Sequence, residues 1–114
     1  MNLQDSIKYN TKAFLDLCNN HDVKMLYAFG SATNGRFNSE TSDIDLLVEI
    51  FYSDSKDPIA RGENLLELWD KFELFFKRKV DLLTYSSLKN PILLKSINSS
   101  KILLYDGTKQ KISI

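Results

Sequence analysis

One cysteine, one histidine and no net charge are the first things this 114-residue chain shows, and each scarcity excludes something. Cys18 alone cannot close an internal disulfide, which fits a reducing compartment. His21 sits in a polar turn with no second histidine or cysteine nearby, so a zinc site is not expected. The 15 basic residues are balanced by 15 acidic ones. That balance argues against a strongly basic nucleic-acid binder, and direct nucleic-acid binding is not expected. No apolar run approaches the length of a membrane span, and Met1 to Ser6 lacks a basic region leading into an apolar one. The expected location is cytoplasmic.

What remains is ordinary globular composition, 43% hydrophobic and 26% charged. We expect one domain over residues 1–106 and a polar tail over 107–114, with no internal repeat and no linker. Ile7, Thr11, Phe14, Leu15 and Cys18 stack along one side of a helix expected over 5–20, ended by Asn19-Asn20-His21-Asp22. A buried strand from Val23 to Phe29 delivers Gly30 and Ser31 at its end. Residues 32–37 read as a short helical or looped segment, 38–42 as a polar turn, and 52–58 as a polar loop.

Asp43 to Phe51 is the clearest strand. From about Ile59 to Lys77, the residues Leu65, Leu68, Trp69, Phe72, Phe75 and Phe76 make one apolar helical stripe, read as core. Lys77-Arg78-Lys79 suits the C-terminal end of that helix. A strand over 79–84 carries Asp81. Asn90-Pro91 opens a last helix to about Ser96, and Ile102 to Tyr105 forms a closing strand. Alternating helices and strands imply an α/β or α+β layer architecture.

Three short pieces carry the chemistry. Gly30-Ser31 is a tight turn able to offer backbone N–H groups and a hydroxyl to a phosphate. In Ser42-Asp43-Ile44-Asp45-Leu46-Leu47-Val48, period-two geometry sends both carboxylates to one face and Ile44, Leu46, Val48 and Ile50 to the other. In Val80-Asp81-Leu82-Leu83, a carboxylate interrupts an apolar strand, where a charge is costly unless something binds it. A phosphate cradle beside three carboxylates suits divalent-metal and nucleoside-triphosphate chemistry.

These pieces resemble the nucleotidyltransferase superfamily that includes DNA polymerase beta, and within it the minimal nucleotidyltransferases. The resemblance rests on Gly30-Ser31, Asp43-Ile44-Asp45 followed by aliphatics, and Asp81, and it spans roughly residues 5–106. It implies a mixed sheet with helices mainly on one face and the active site on the other. It also implies that Asp43, Asp45 and Asp81 bind two Mg2+ ions and act catalytically, and that Gly30 and Ser31 hold the phosphates of ATP. The expected partner is a HEPN-type helical toxin, to which this chain, as antitoxin, transfers AMP.

Other readings are open to the sequence. Asp43 could merely cap a turn, though that leaves Asp45 unexplained. Asp81 could pair with Lys77 or Lys79 as a structural ion pair. Glu49 shares the carboxylate face but is expected to be solvated. At the level of function, the chain could mask its partner by contact without catalysis, or modify a small molecule such as an aminoglycoside.

Overall fold

The computed structural model describes residues 3–30, 43–51 and 57–113. Within them the chain runs α1 (Leu3–Tyr9), α2 (Thr11–Asn20), β1 (Val23–Phe29), β2 (Ile44–Ile50), α3 (Pro58–Phe76), β3 (Val80–Thr84), α4 (Pro91–Ser100), β4 (Ile102–Asp106) and β5 (Lys111–Ile112). The strands form one five-stranded sheet in the order β3-β2-β1-β4-β5. β1 is antiparallel to both β2 and β4, whereas β2 and β3 are parallel. A parallel pair needs a long crossover, and α3 supplies it.

The helix expected over 5–20 is two helices that break at Asn10. Thr11 Oγ1 donates to the carbonyls of Ile7 and Lys8, at 3.3 and 3.1 Å, which takes up acceptors at the end of α1. Side-chain bonding of this kind competes with a continuous helix. Ile7, Phe14 and Cys18 are buried as expected, but Thr11 is exposed. Burial pushes the Cys18 thiol up, so it behaves as a packing residue.

α3 begins where Asp57 Oδ1 accepts the Ala60 N–H at 2.8 Å and Pro58 takes the first turn. It ends at Lys77, in the left-handed region with φ 55°. Its stripe buries Leu68, Phe72 and Phe76, with Leu65, Trp69 and Phe75 packed against them. Phe14 of α2 sits among Phe72, Phe75, Phe76 and Tyr105, its ring centroid 5.4–6.5 Å from theirs. Ring packing at these separations adds to the area buried.

Ile44, Leu46 and Val48 of β2, with Val80 and Leu82 of β3, lie in this same core, on the helix-covered face. The opposite face is not wholly open. Ile97 of α4 packs on Phe29 and Leu47, with Tyr27, Leu83, Tyr85 and Leu88 around them, so α4 covers part of the carboxylate face. Lys101, just past α4, pins this end down. Its ammonium lies 4.3 Å from the Tyr27 ring centroid and donates to Tyr85 Oη at 2.7 Å and Asn98 Oδ1 at 3.0 Å.

The segment after Gly107, expected as a polar tail, folds back so that β5 pairs with β4. Asp106 Oδ1 accepts the Thr108 N–H and hydroxyl, which forms the turn. Gly107 is required there, because a Cβ would collide with the carbonyl oxygens of Val23 and Lys24.

Candidate active site

β1 runs into Gly30, which takes a left-handed φ of +68°. Asp45 is the β2 residue directly opposite Phe29, the last residue of β1. On its other side Asp45 is in register with Asp81 of β3. Residues opposite one another share a face, so the two carboxylates project together. Asp43 lies one residue before β2 and, like Asp81, is exposed, while Asp45 is half-buried. Burial raises the Asp45 carboxyl above its usual range, and the neighbouring charges of Asp81 and Asp43 push it further. Asp45 and Asp81 therefore lie side by side at one end of the sheet, with Asp43 near enough for its charge to act on Asp45.

Gly30 packs closely against Asp45. A Cβ on Gly30 would lie 2.5 Å from Asp45 Oδ2, so only glycine leaves the carboxylate its place. Ser31, the other half of the expected phosphate cradle, lies outside the described residues, as do Ser42 and the expected 32–37 segment.

The alternative readings can be weighed against this geometry. Among the described residues, no ion pair reaches Asp43, Asp45 or Asp81, so pairing of Asp81 with Lys77 or Lys79 does not explain it. Also among the described residues, no group of three or more His, Cys, Asp or Glu side chains is placed so that it could hold a metal ion. The like charges of Asp81 and Asp43 repel that of Asp45, and this repulsion adds to the larger effect of burial in raising the Asp45 carboxyl. Carboxylate oxygens such as those of Asp45 and Asp81 are of the hard type that magnesium takes, with phosphate and water completing its shell. Glu49 is half-buried on the same strand, beyond Leu47.

His21 has a structural role. Its ring is buried, with Nδ1 2.8 Å from the Leu17 carbonyl and Nε2 3.4 Å from Glu67 Oε1, and its own carbonyl accepts from Asn64 at 2.9 Å. The sequence reading missed Ile97 and its cluster, which wall the carboxylate face on one side. The apolar pattern of Leu93, Leu94 and Ile97 was the available signal, but it does not say which face the helix covers.

The family model described as polymerase beta, nucleotidyltransferase matches residues 12–110. The chain belongs to that family. The match encloses Gly30, Asp43, Asp45 and Asp81, and the mixed sheet described above is the nucleotidyltransferase fold. The chain is similar to the provisionally named protein adenylyltransferase MJ0126 of Methanocaldococcus jannaschii, at 34% identity over 78% of this chain and 84% of that one. Among solved structures it resembles a provisionally assigned minimal nucleotidyltransferase, with a TM-score of 0.60 at 25% identity over 90% of this chain and 95% of that one. It also resembles a chain of the toxin–antitoxin complex MntA–HpeT in a mutant form, with a TM-score of 0.58 at 25% identity over 85% and 72%. No helix among the described residues of this nucleotidyltransferase is long and apolar enough to cross a membrane.

Proposed function

We propose that this nucleotidyltransferase is metal-dependent and transfers AMP from ATP to a hydroxyl of a protein acceptor. The acceptor in this reading is a HEPN-type helical toxin in the cytoplasm, and the chain is its antitoxin. The observation that carries the reading is the in-register pairing of Asp45 with Asp81, with Asp43 one residue before β2 and Gly30 beneath. The similarity to a provisionally named protein adenylyltransferase and to a toxin–antitoxin structure supports the choice of acceptor.

Asp43, Asp45 and Asp81 would hold two Mg2+ ions, which when bound neutralise triphosphate charge and acidify an incoming hydroxyl. Gly30, with no side chain, leaves the Asp45 carboxylate its place and would let the backbone approach a phosphate, and Ser31 would donate its hydroxyl to one phosphate. Asp81, exposed on the edge strand, would take the proton of the acceptor hydroxyl. The acceptor oxygen bonds to the α-phosphorus, the bond to the bridging oxygen breaks, and pyrophosphate leaves.

Co-expression with a helical toxin tests this reading. The wild-type chain should restore growth, and the Asp43→Asn, Asp45→Asn chain should still bind the toxin but fail to restore growth. Restoration by the double variant would replace catalysis with masking by contact.

A further inference from the structure

We infer that Trp69 and Glu73 are positioning residues that set where Asp81 stands, and through it the acceptor-side metal site. The inference rests on the function proposed above and adds two residues to it.

β3 is the edge strand beside β2. The Ile44 N–H donates to the Lys79 carbonyl at 3.0 Å, so the peptide groups of Lys79 face β2 and those of Val80 face outward. Both outward groups of Val80 are taken by α3. Glu73 Oε2 accepts the Val80 N–H at 2.9 Å, and the Trp69 indole Nε1–H donates to the Val80 carbonyl at 2.5 Å. Trp69 and Glu73 are four residues apart and stand one above the other on α3. The same helix therefore holds the peptide planes on both sides of Val80, and the second plane contains the Asp81 nitrogen.

The outward groups of Thr84 are also occupied. Its N–H donates to Ser87 Oγ at 3.2 Å, and that hydroxyl donates to the Thr84 carbonyl at 2.7 Å. An edge strand left with bare peptide groups frays or pairs with another chain. Here both ends are closed, and at the Asp81 end the closure comes from the crossover helix whose buried stripe anchors it in the core. Asp81 is exposed and has no ion-pair partner among the described residues, so its place is set by its backbone.

The test is Mn2+ binding to the full-length chain, followed by electron paramagnetic resonance in the presence of a non-hydrolysable ATP analogue. Trp69→Phe keeps the ring and loses the donor. Glu73→Leu loses the acceptor, and Glu73→Gln keeps one. Asp81→Asn is the reference for loss of the acceptor-side site. Trp69→Phe and Glu73→Leu should fill the Asp81-dependent site only at about tenfold higher Mn2+, the usual penalty for removing a group that orients a ligand. The Asp81-independent site should be unchanged, and Glu73→Gln should stay close to wild type. If Glu73→Leu does not fold, Trp69→Phe alone decides. Titrations of Trp69→Phe that superimpose on wild type, while Asp81→Asn weakens binding, would overturn the positioning role and leave the proposed function standing. A wild-type chain that binds no Mn2+ would overturn both.

Discussion

Asp45 lies so close over Gly30 that a single added methyl group at Gly30 would meet its Oδ2 at 2.5 Å. Gly30→Ala therefore carries two penalties. A left-handed alanine costs about 1–2 kcal/mol, and the Asp45 carboxylate must move. The expected outcome is a lower thermal midpoint together with loss of nucleotidyl transfer. A cycle with Asp45→Ala separates the two, because the collision vanishes once the carboxylate is gone. Coupling between the substitutions, read from chemical denaturation, checks the contact. Strict additivity would contradict it.

Asp45 should weaken the fold it serves. Its pKa is raised by burial and then by Asp81 and Asp43, so the folded chain binds its proton more tightly than the unfolded chain does. Between the unfolded value, about 3.9, and the raised folded one, stability falls as pH rises. Asp45→Asn should consequently raise the thermal midpoint at pH 7, with the gain fading as the pH is lowered through that window. Magnesium should raise the midpoint of the wild type and leave the Asp43→Asn, Asp45→Asn chain unmoved. Melting curves at several pH values, with and without magnesium, check both statements.

Asp106 has the opposite sign. The Thr108 hydroxyl donates to its carboxylate, and that hydrogen bond holds its pKa below the usual range. Its stabilisation is full above the unfolded-state pKa and is lost as pH falls through the folded one. Thr108→Val should destabilise the chain at neutral pH, and the gap should close in acid. Denaturation at pH 7 and at low pH checks the sign.

The Lys101 clamp is predicted to hold α4 over the carboxylate face. Lys101→Met removes hydrogen bonds to Tyr85 and Asn98 and the cation over Tyr27. The combined loss should be about 1–3 kcal/mol. Hydrogen exchange should quicken in α4 before it does in β2. Uniform quickening would show that α4 and the sheet open as one unit.

Much of this architecture is legible in the sequence because period is a strong signal. The Leu65 to Phe76 stripe reads correctly as the core face of α3, and the alternation from Asp43 to Ile50 assigns the faces of β2. What escapes is decided by single contacts between distant segments. The break at Asn10 depends on one threonine hydroxyl, and the β5 hairpin depends on one aspartate and one glycine. Neither leaves a mark on hydrophobic periodicity. The site is partly legible for a similar reason. Asp45 and Asp81 stand out as charges inside apolar strands, whereas Trp69 looks like core because its indole N–H bond to the Val80 carbonyl has no sequence signature. The α4 wall was missed because an amphipathic helix does not declare which face of a sheet it covers.

Asp43, Asp45 and Asp81 are proposed to form a nucleotidyl-transfer centre. The most direct measurement is incorporation of label into a co-purified helical partner from ATP labelled at the α- or the γ-phosphate, with magnesium. The account predicts label from the α position alone, and none when Asp43 and Asp45 are both asparagine. Label from the γ position, or equal incorporation by the double variant, would contradict it.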